Sequence, residues 1–214
     1  MMFRQHLLFV GALSLAACNS PSKTNPEVTK QTPRPSSNDA PAAVEAPPIQ
    51  GTLTIDESKS SISFVGANVL SSHEGSFKKF SGTITVGANG PESIAIDVDA
   101  TSIFVEHPKL LGHLRAEDFF FVEEFPSASF KSTKITPSTE GENTHDVTGE
   151  FTIRGVTKEH SFPILVAPVD GGWKGTATLV LERTQFGIAW KGAADNLVKT
   201  EVPLTLELVA KRSS

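Results

Sequence analysis

The sequence predicts an all-β domain, an antiparallel barrel or sandwich, that is interrupted by one short helix. From residue 51 onward, short runs of alternating apolar and polar residues are separated by Gly, Pro and Asn. That pattern is typical of strands joined by tight turns. Eight or nine strands can be counted, and nearly all their connections are short, which favours antiparallel neighbours.

The short helix is predicted at about residues 107–118, where the period of the apolar residues changes. Leu110, Leu111 and Leu114 fall at helical spacing, and Pro108 stands where a first-turn proline costs no hydrogen bond. Three consecutive phenylalanines, at 119–121, follow directly. The simplest interpretation is that the helix and the Phe triplet plug one end of a β core.

The strands are predicted on both sides of this helix from runs in which every second residue is apolar. The predicted strands are 53–55, 62–69, 79–86, 94–98, 128–135, 147–153, 162–166, 173–181 and 202–208.

The first 17 residues read as an export signal. Arg4 precedes an apolar run of eleven residues, which is too short to cross a bilayer. The run ends in Leu15-Ala16-Ala17-Cys18, which resembles the lipobox of bacterial lipoproteins, where the Cys becomes the first mature residue and is acylated. An ordinary signal peptide cut near Ala17, which would leave a free thiol, is the alternative.

Residues 18–50 are predicted to be the acylated Cys18 followed by a disordered tether. Residues 19–50 hold seven of the chain's fourteen prolines and show no apolar period. Such a segment spans about 34 Å as a coil and up to roughly 100 Å as polyproline II. Asn19 follows the Cys where the resembling sorting rule uses Asp for inner-membrane retention. We therefore expect the outer membrane, facing the periplasm, in the envelope of a bacterium.

Composition excludes several classes of protein. The formal net charge is −5 and there is no basic stripe, which argues against nucleic-acid binding. Cys18 is the single cysteine, so an intramolecular disulfide is excluded. The chain has 14 Phe and no Tyr, which suits a dry interior because Phe carries no hydroxyl that needs a partner.

Motifs for catalysis and for metal binding are missing from the sequence. There is no Gly-x-Ser-x-Gly elbow, no phosphate loop and no histidine pair at metal-ligand spacing. Arg154, Gly155 and Arg183 are interpreted as hairpin and strand-end residues. We therefore predict neither catalytic residues nor a metal or cofactor, and His145 and His160 are interpreted as solvated residues at strand ends.

Several blocks of the sequence resemble the YceI-like family of bacterial extracytoplasmic lipid-binding proteins. GHLRAEDFFFVEEFPSASFKST carries the resemblance most clearly, supported by VTGEFTIRGVTKEHSFP, LERTQFGIAWKG and LVKTEVPLTLEL, and less strongly by FVGANVLSSHEGSFKKFSGTI. The resemblance implies an elongated, eight-stranded, lipocalin-like barrel over residues 51–214 with an apolar tunnel for a polyisoprenoid or quinone-like lipid. Lys59 stands where many members have His, and the segment FVEHPKLLG also departs from the common pattern, so ligand length and head group stay undefined.

The physical chemistry of the inward residues agrees with a lipid ligand but does not require one. A barrel of eight strands encloses either its own side chains or one small ligand. An apolar lumen would leave the polar groups of a sugar or peptide unpaired, whereas an alkyl or prenyl chain gains about 25 cal/mol per Å² buried. The resemblance is what favours a tunnel over a packed core.

The tunnel lining is predicted from the inward residues of the strands, and three further residues are placed near a mouth. The predicted strand positions are Phe64, Ile84, Ile96, Val98, Phe130, Phe151, Ile153, Phe162, Ile164, Leu179, Leu204 and Leu206. The predicted mouth residues are Leu114, Phe119 and Phe120.

Three polar residues in the matched block are candidate contacts for a lipid head group. His113, Arg115 and Asp118 would lie at the mouth; the alternative is that they cap the helix and pair with nearby strands.

The expected partners are an isoprenoid lipid and, through Cys18, a membrane; a homodimer is left open. The function that competes with lipid carriage is a solid-core scaffold lipoprotein that recognises a protein or the cell wall through its loops. An enzyme acting on the bound head group is a third, weaker alternative.

Overall fold

The computed structural model describes residues 49–139, 141–190, 192–193 and 196–212, with the side chains of 192, 193 and 196 left out. These residues lie in one compact unit, Glu45–Ser214. The predicted signal peptide, Cys18 and the tether up to residue 48 lie outside the described residues.

The described chain consists mainly of strands, with one α-helix, α1 (Pro108–Arg115). Single turns of 3₁₀ helix occur at Glu57–Lys59, Ala100–Ser102 and Arg183–Phe186. The strands are β1 (Gly51–Ile55), β2 (Ser61–Ala67), β3 (Ser72–Phe77), β4 (Phe80–Gly87), β5 (Gly90–Asp99), β6 (Ile103–Val105), β7 (Ser127–Pro137), β8 (His145–Ile153), β9 (Val156–Val169), β10 (Gly172–Glu182), β11 (Gly192–Ala193), β12 (Asn196–Leu197) and β13 (Glu201–Lys211).

Eight antiparallel strands close into a barrel, which confirms the predicted fold class. The order around the ring is β1-β4-β5-β7-β8-β9-β10-β13, and β13 pairs with β1 to close it. Neighbours in the ring follow one another along the chain, except that β2 and β3 come between β1 and β4, β6 and α1 between β5 and β7, and β11 and β12 between β10 and β13. β2 pairs with β13 and with β3, and β3 pairs with β6. Closure satisfies the edges that an open sheet would leave unpaired.

Tight turns set the register of the long strands. Arg154 and Gly155 form the two-residue turn between β8 and β9, with φ of 54° and 72°, as a type I′ hairpin requires. Asp170 and Gly171 connect β9 to β10 in the same number of residues. Because the side chains of a strand alternate, this register directs one set of apolar residues into the barrel.

The helix is shorter than predicted. Its first residue is Pro108, and the His107 side chain caps it by accepting a hydrogen bond from Leu110 N. Ala116 already has extended backbone, and its N–H donates to the carbonyl oxygen of His113, so the helix ends at Arg115 and not near 118. In the part of the chain that is described, no helix has the length and apolar character needed to cross a bilayer.

Candidate functional site

An apolar cavity of about 150 Å³ lies inside the barrel at the end covered by α1. We call it the main cavity. Its wall comes from the strand ends at this end of the barrel and from the segment after β6. The lining residues are Ile62, Phe64, Gly66, Phe77, Ile96, Val98, Leu114, Phe119, Phe120, Ala128, Ser129, Phe130, Phe151, Ile153, Leu181, Arg183, Phe186, Ile188, Val202, Leu204 and Leu206.

A second cavity of about 50 Å³ continues the main cavity toward the other end of the barrel. We call it the inner cavity. It is lined by Ile84, Val86, Pro91, Ile94, Ile96, Phe130, Phe162, Ile164, Val166, Trp173, Gly175, Thr176, Ala177, Leu206 and Leu208. Ile96, Phe130 and Leu206 line both cavities, so these three side chains form the partition between them. Along β13, Leu204 borders the main cavity and Leu208 the inner one, which orders the two cavities along the barrel axis.

The start of the described chain covers the inner end of the barrel. The indole N–H of Trp173, a residue of the inner cavity, donates to the carbonyl oxygen of Ile49 at 2.9 Å. The Ile49 side chain packs against the core, and Arg212 Nη2 donates to Gln50 O at 3.1 Å. Ile49 and Gln50, which were predicted to belong to the tether, therefore contact the barrel.

The opposite end is covered by residues 108–122, which we call the lid. Leu114, Phe119 and Phe120 of the lid project onto the main cavity. The lid folds back on itself, since Phe120 N donates to Leu114 O and Val122 N to Arg115 O. The lid thus closes the cavity with apolar side chains while its own backbone groups are paired.

Two arginines fasten the lid to the barrel. Arg154 Nη1, from the β8–β9 turn, donates to the carbonyl oxygens of Phe119 at 2.9 Å and Gly187 at 3.2 Å. Arg115 Nη2 donates to the carbonyl oxygen of Thr101 at 3.0 Å. Both contacts join a side chain to main chain, so they hold the lid against the barrel.

Fourteen of the fifteen residues predicted to line the tunnel lie on the wall of one or both cavities. Ile84, Phe162 and Ile164 border the inner cavity, Ile96, Phe130 and Leu206 border both, and the others border the main cavity. The exception is Leu179, which is buried in the core but borders neither cavity. The structure thus brings these positions together, and their contact with a ligand stays a prediction.

The three candidate head-group residues do not line either cavity. His113 and Asp118 contact each other through Nδ1 and Oδ2 at 3.3 Å on the outer side of the lid. The His113 ring also stacks on Trp190 with 6.0 Å between ring centroids. Together with the Arg115–Thr101 bond, these contacts match the alternative that the trio stabilises the helix and its surroundings.

Arg183 is a wall residue that the sequence analysis placed only at a strand end. It is 6% exposed, and its guanidinium donates to the carbonyl oxygens of Lys199 (2.9 Å), Val198 (3.1 Å) and Ile188. Burial lowers the pKa of Arg183 from its ordinary value, and Glu182 opposes that shift. Its Nε, Nη1 and Nη2 atoms donate to main chain, so this residue holds Ile188, Val198 and Lys199 together at the mouth of the barrel.

The structure corrects the interpretation of His160 as a solvated residue at a strand end. It lies inside β9, half-buried, with its ring stacked on Phe186 and edge-on to Phe151. Its Nε2 is buried and has no hydrogen-bond partner. Burial lowers the pKa of His160 from the ordinary 6.5, because the charged form would lose water without gaining a partner. His145 does begin β8 but is half-buried, with Nδ1 at 2.9 Å from Thr144 Oγ1.

Two strand glycines make room for the aromatic wall. A Cβ on Gly75 would overlap the ring of Phe64, and a Cβ on Gly149 would overlap the ring of Phe130. A glycine within a strand weakens it, so its presence there marks a close approach. Glycines within predicted strands can be seen in the sequence, but the sequence does not show which aromatic ring packs against which glycine.

Among the described residues, no group of three or more His, Cys, Asp or Glu side chains is placed to hold a metal ion. Two acidic residues of the outer surface accept hydrogen bonds from their own neighbours in the chain. Hydrogen bonds from Thr101 lower the pKa of Asp99, and those from Ser58 lower the pKa of Asp56. The arrangement inside the barrel is suited to enclosing an apolar group.

Comparison with known proteins finds a match to one protein family. The model of the YceI-like domain matches residues 53–210. A UPF0312 protein of Pseudomonas syringae pv. tomato is 35% identical over 152 residues, which are 64% of this chain and 74% of that protein. A UPF0312 protein of Pseudomonas fluorescens is 33% identical over 141 residues, 61% of this chain and 71% of the relative.

Solved structures agree on the fold. The crystal structure of Burkholderia cenocepacia BcnA is similar with a TM-score of 0.66 at 26% identity, covering 73% of this chain and 99% of BcnA. A polyisoprenoid binding domain from Saccharophagus degradans has a TM-score of 0.60 at 14% identity, covering 77% of this chain and all of that one. The Campylobacter jejuni YCEI protein has a TM-score of 0.53 at 22% identity, covering 65% of this chain and 85% of that one.

Proposed function

The chain belongs to the YceI-like family, and on that basis we propose that it binds one isoprenoid-type lipid inside its barrel and carries or buffers it in the cell envelope. The observation that carries this proposal is the main cavity, whose wall is apolar apart from Arg183 and Ser129. The S. degradans domain, which has the same fold, is a polyisoprenoid binding domain, and this supports the ligand class.

The chemistry of the wall selects an apolar chain. Polar groups of a sugar or peptide would have to lie among Phe, Ile, Leu and Val side chains without partners, which costs several kcal/mol. A prenyl or quinone tail loses no hydrogen bond there, and each buried CH₂ contributes about 0.8 kcal/mol. Ile49 and Trp173 cover the inner end. The tail would therefore point inward and the head group would stay near the lid.

The size of the cavities bears on how the chain is accommodated. An apolar cavity of about 150 Å³ holds a group about as large as benzene, so a longer prenyl chain requires the two cavities to join and their walls to move apart. The partition consists of only three side chains, Ile96, Phe130 and Leu206, and rotation of these side chains would connect the cavities. The competing function, a scaffold with a solid core, does not require two cavities along the barrel axis.

Binding proceeds without a chemical step. The lid moves aside, the chain enters the main cavity, and the lid closes over it with Leu114, Phe119 and Phe120. Rigid strands keep the wall in place, and the exchange rate depends on the hydrogen bonds that hold the lid. Release into a second membrane or to a partner reverses the same steps.

The ligand class is tested with the isolated barrel, residues 45–214, stripped of lipid and incubated with a polyprenol, a prenyl quinone and a fatty acid. Gel filtration followed by extraction measures what is retained. The proposal expects stoichiometric retention of the two prenyl lipids. Retention of the fatty acid alone would replace the isoprenoid with an acyl ligand, and retention of none of the three would contradict lipid carriage.

We also propose that Cys18 is acylated and anchors the chain in the outer membrane, facing the periplasm. The lipobox-like Leu15-Ala16-Ala17-Cys18 supports this anchor. Several acyl chains on one Cys suffice for stable anchoring, whereas one chain is marginal. Palmitate labelling of the full chain beside Cys18→Ala tests the proposal: label should appear only in the parent chain, and equal labelling of both would exclude the anchor.

A further inference from the structure

Four exposed apolar side chains lie at the lid end of the barrel, three on the turn after β2 and the segment bridged to it and one against the lid. Leu70 is 79% exposed, Val69 67%, Leu197 51% and Trp190 40%. We call Val69, Leu70, Leu197 and Trp190 the apolar rim. Large apolar side chains that are exposed and clustered mark a surface that meets another apolar phase or partner.

Specific contacts hold the rim together. Asn68 Oδ1 accepts from Leu70 N at 2.8 Å and Ser71 N at 2.7 Å, which fixes a tight turn with Val69 and Leu70 at its tip. Asn68 also bridges to Val198, next to Leu197, and Lys199 N donates to Ala67 O at 2.8 Å. The turn and the segment 197–199 therefore form one fixed surface.

The rim is continuous with the mouth of the main cavity. Arg183, a wall residue, holds the carbonyl oxygens of Val198 and Lys199 beneath the rim. On the other side, Trp190 contacts two residues of the lid: it stacks on His113, and its ring lies 5.5 Å from that of Phe119. The rim is thus joined both to the wall, through Arg183, and to the lid, through Trp190.

The other exposed apolar residues of the described chain do not form a comparable cluster. Val180 lies on the outer face of β10, and Leu165 and Val169 lie on β9. Phe104 on β6 is covered by the Lys78 ammonium group at 4.6 Å from the ring centroid. Val180 and Leu165 point outward from the barrel wall, so they provide controls that are equally apolar but do not belong to the rim.

We propose that the apolar rim docks the barrel on a lipid bilayer, so that the lid opens directly onto the membrane and the ligand exchanges without crossing water. This rests on the proposed lipid-carrier function and adds the surface through which it operates. A bilayer is the occupant because the cavity behind the rim is apolar and its ligand must come from an apolar phase. The turn from Ala67 to Ser72 carries no charge, and Trp is favoured at membrane interfaces.

The rim and the start of the described chain lie at opposite ends of the barrel. Ile49 and Gln50 are bound at the inner end of the barrel, and the rim is at the lid end. The described chain therefore begins at the end of the barrel opposite the docking surface.

The test uses the isolated barrel, residues 45–214, because BcnA, 99% of which this chain covers, shows that such a barrel folds by itself. Flotation with vesicles of phosphatidylethanolamine and phosphatidylglycerol compares the parent barrel, Val69→Ser/Leu70→Ser and the control Leu165→Ser/Val180→Ser. The rim variant should partition at least roughly tenfold less, since burial of one Leu side chain already exceeds that factor. The control should bind like the parent.

Two further readouts distinguish docking through the rim from electrostatic adsorption to the vesicles and from loss of the bound lipid. Partitioning should persist when salt is raised from about 0.1 M to about 1 M, because insertion of apolar side chains is not screened. The rim variant should retain as much co-purified prenyl lipid as the parent but transfer it to acceptor vesicles roughly tenfold more slowly.

Three outcomes would overturn the proposal. Equal flotation of parent and rim variant would exclude the rim as the docking surface. A concentration-dependent oligomer that the rim variant abolishes, without vesicle binding, would assign the rim to self-association. Lipid retention with no vesicle binding by the parent would leave the carrier function intact and remove the docking surface, whereas absence of retained lipid would contradict the carrier function itself.

Discussion

Arg154 donates a hydrogen bond from Nη1 to the carbonyl oxygen of Phe119 at 2.9 Å, and thereby ties the β8–β9 turn to the lid. The two residues are 35 positions apart in the chain. Phe119 is buried over the main cavity, so this bond joins an external turn to the side chain that closes the mouth. The lid can move only when the bond opens.

Replacing Arg154 should accelerate ligand exchange. Arg154 has φ of 54°, a conformation that Asn adopts readily, and Asn-Gly is the preferred pair for this turn. Arg154→Asn therefore removes the guanidinium without straining the backbone. One hydrogen bond at a half-buried site contributes about 1 kcal/mol, so exchange of a fluorescent prenyl probe should be about fivefold faster in stopped-flow measurements.

The control for this variant is Arg212→Met, which removes the hydrogen bond to Gln50 O at the inner end of the barrel. It should leave the exchange rate unchanged while the amount of bound probe stays the same in both variants. Equal rates for the parent, Arg154→Asn and Arg212→Met would show that the lid does not limit exchange.

Shortening Leu206 should lengthen the lipid chain that the barrel retains. Leu206 lies in the partition between the main and inner cavities. Leu206→Ala opens that partition, at a cost of about 2–5 kcal/mol in the free energy of unfolding, as for other buried Leu→Ala changes. Mass spectrometry of extracted lipid should show a shift toward prenyl chains that are longer by one or more units.

Leu53→Ala separates the loss of stability from the change in cavity shape. Leu53 is fully buried but borders neither cavity, so its truncation should cost a similar free energy of unfolding. Its lipid profile should equal that of the parent barrel. The same shift in both variants would mean that chain length follows stability and not the partition.

His160 should make the barrel less stable in mildly acidic solution. Its pKa in the folded state lies below the ordinary 6.5 because burial disfavours the charged ring. Below about pH 6.5 the unfolded chain therefore binds a proton that the folded chain does not. The free energy of unfolding contributed by this group is retained above pH 6.5 and falls as the pH drops toward the folded-state pKa.

His160→Phe tests this pH dependence. A phenyl ring can keep the stacking on Phe186 and needs no partner for the position of the buried Nε2. The melting temperatures of parent and variant should diverge between pH 7.5 and about pH 5, with the variant the more stable at the lower pH. The exposed His73→Gln serves as the control, and a parallel fall in all three proteins would assign the effect to other groups.

The closed barrel follows from the alternation in the sequence because a strand has a period of two residues, and that period decides which side chains point inward. This is why Phe64, Ile96, Phe151 and Leu204 could be placed inside from the sequence alone. The same parity includes Leu179, which is buried yet borders no cavity. Alternation predicts which residues are inside but not where the interior leaves space.

Features that depend on contacts between distant segments were not predictable. His160 was interpreted as a solvated strand end, but the Arg154-Gly155 turn begins β9 at Val156 and places His160 well inside the strand. The helix was expected to reach residue 118, whereas backbone bonds from the Phe triplet to Leu114 and Ala116 end it at Arg115. Arg183 could not be recognised as a wall residue, because two of its three carbonyl partners, Val198 and Lys199, lie 15 and 16 residues further along the chain.

The most direct measurement of the central claim is native mass spectrometry of residues 45–214, purified without detergent from a bacterial host. The parent barrel should carry one noncovalent prenyl lipid or quinone. Ile96→Trp, which fills the partition, should lose it, and Val180→Trp, on the outer face of β10, should keep it. A lipid-free mass for the parent that is unchanged after incubation with prenyl lipids, or equal lipid retention by Ile96→Trp and the parent, would contradict the account.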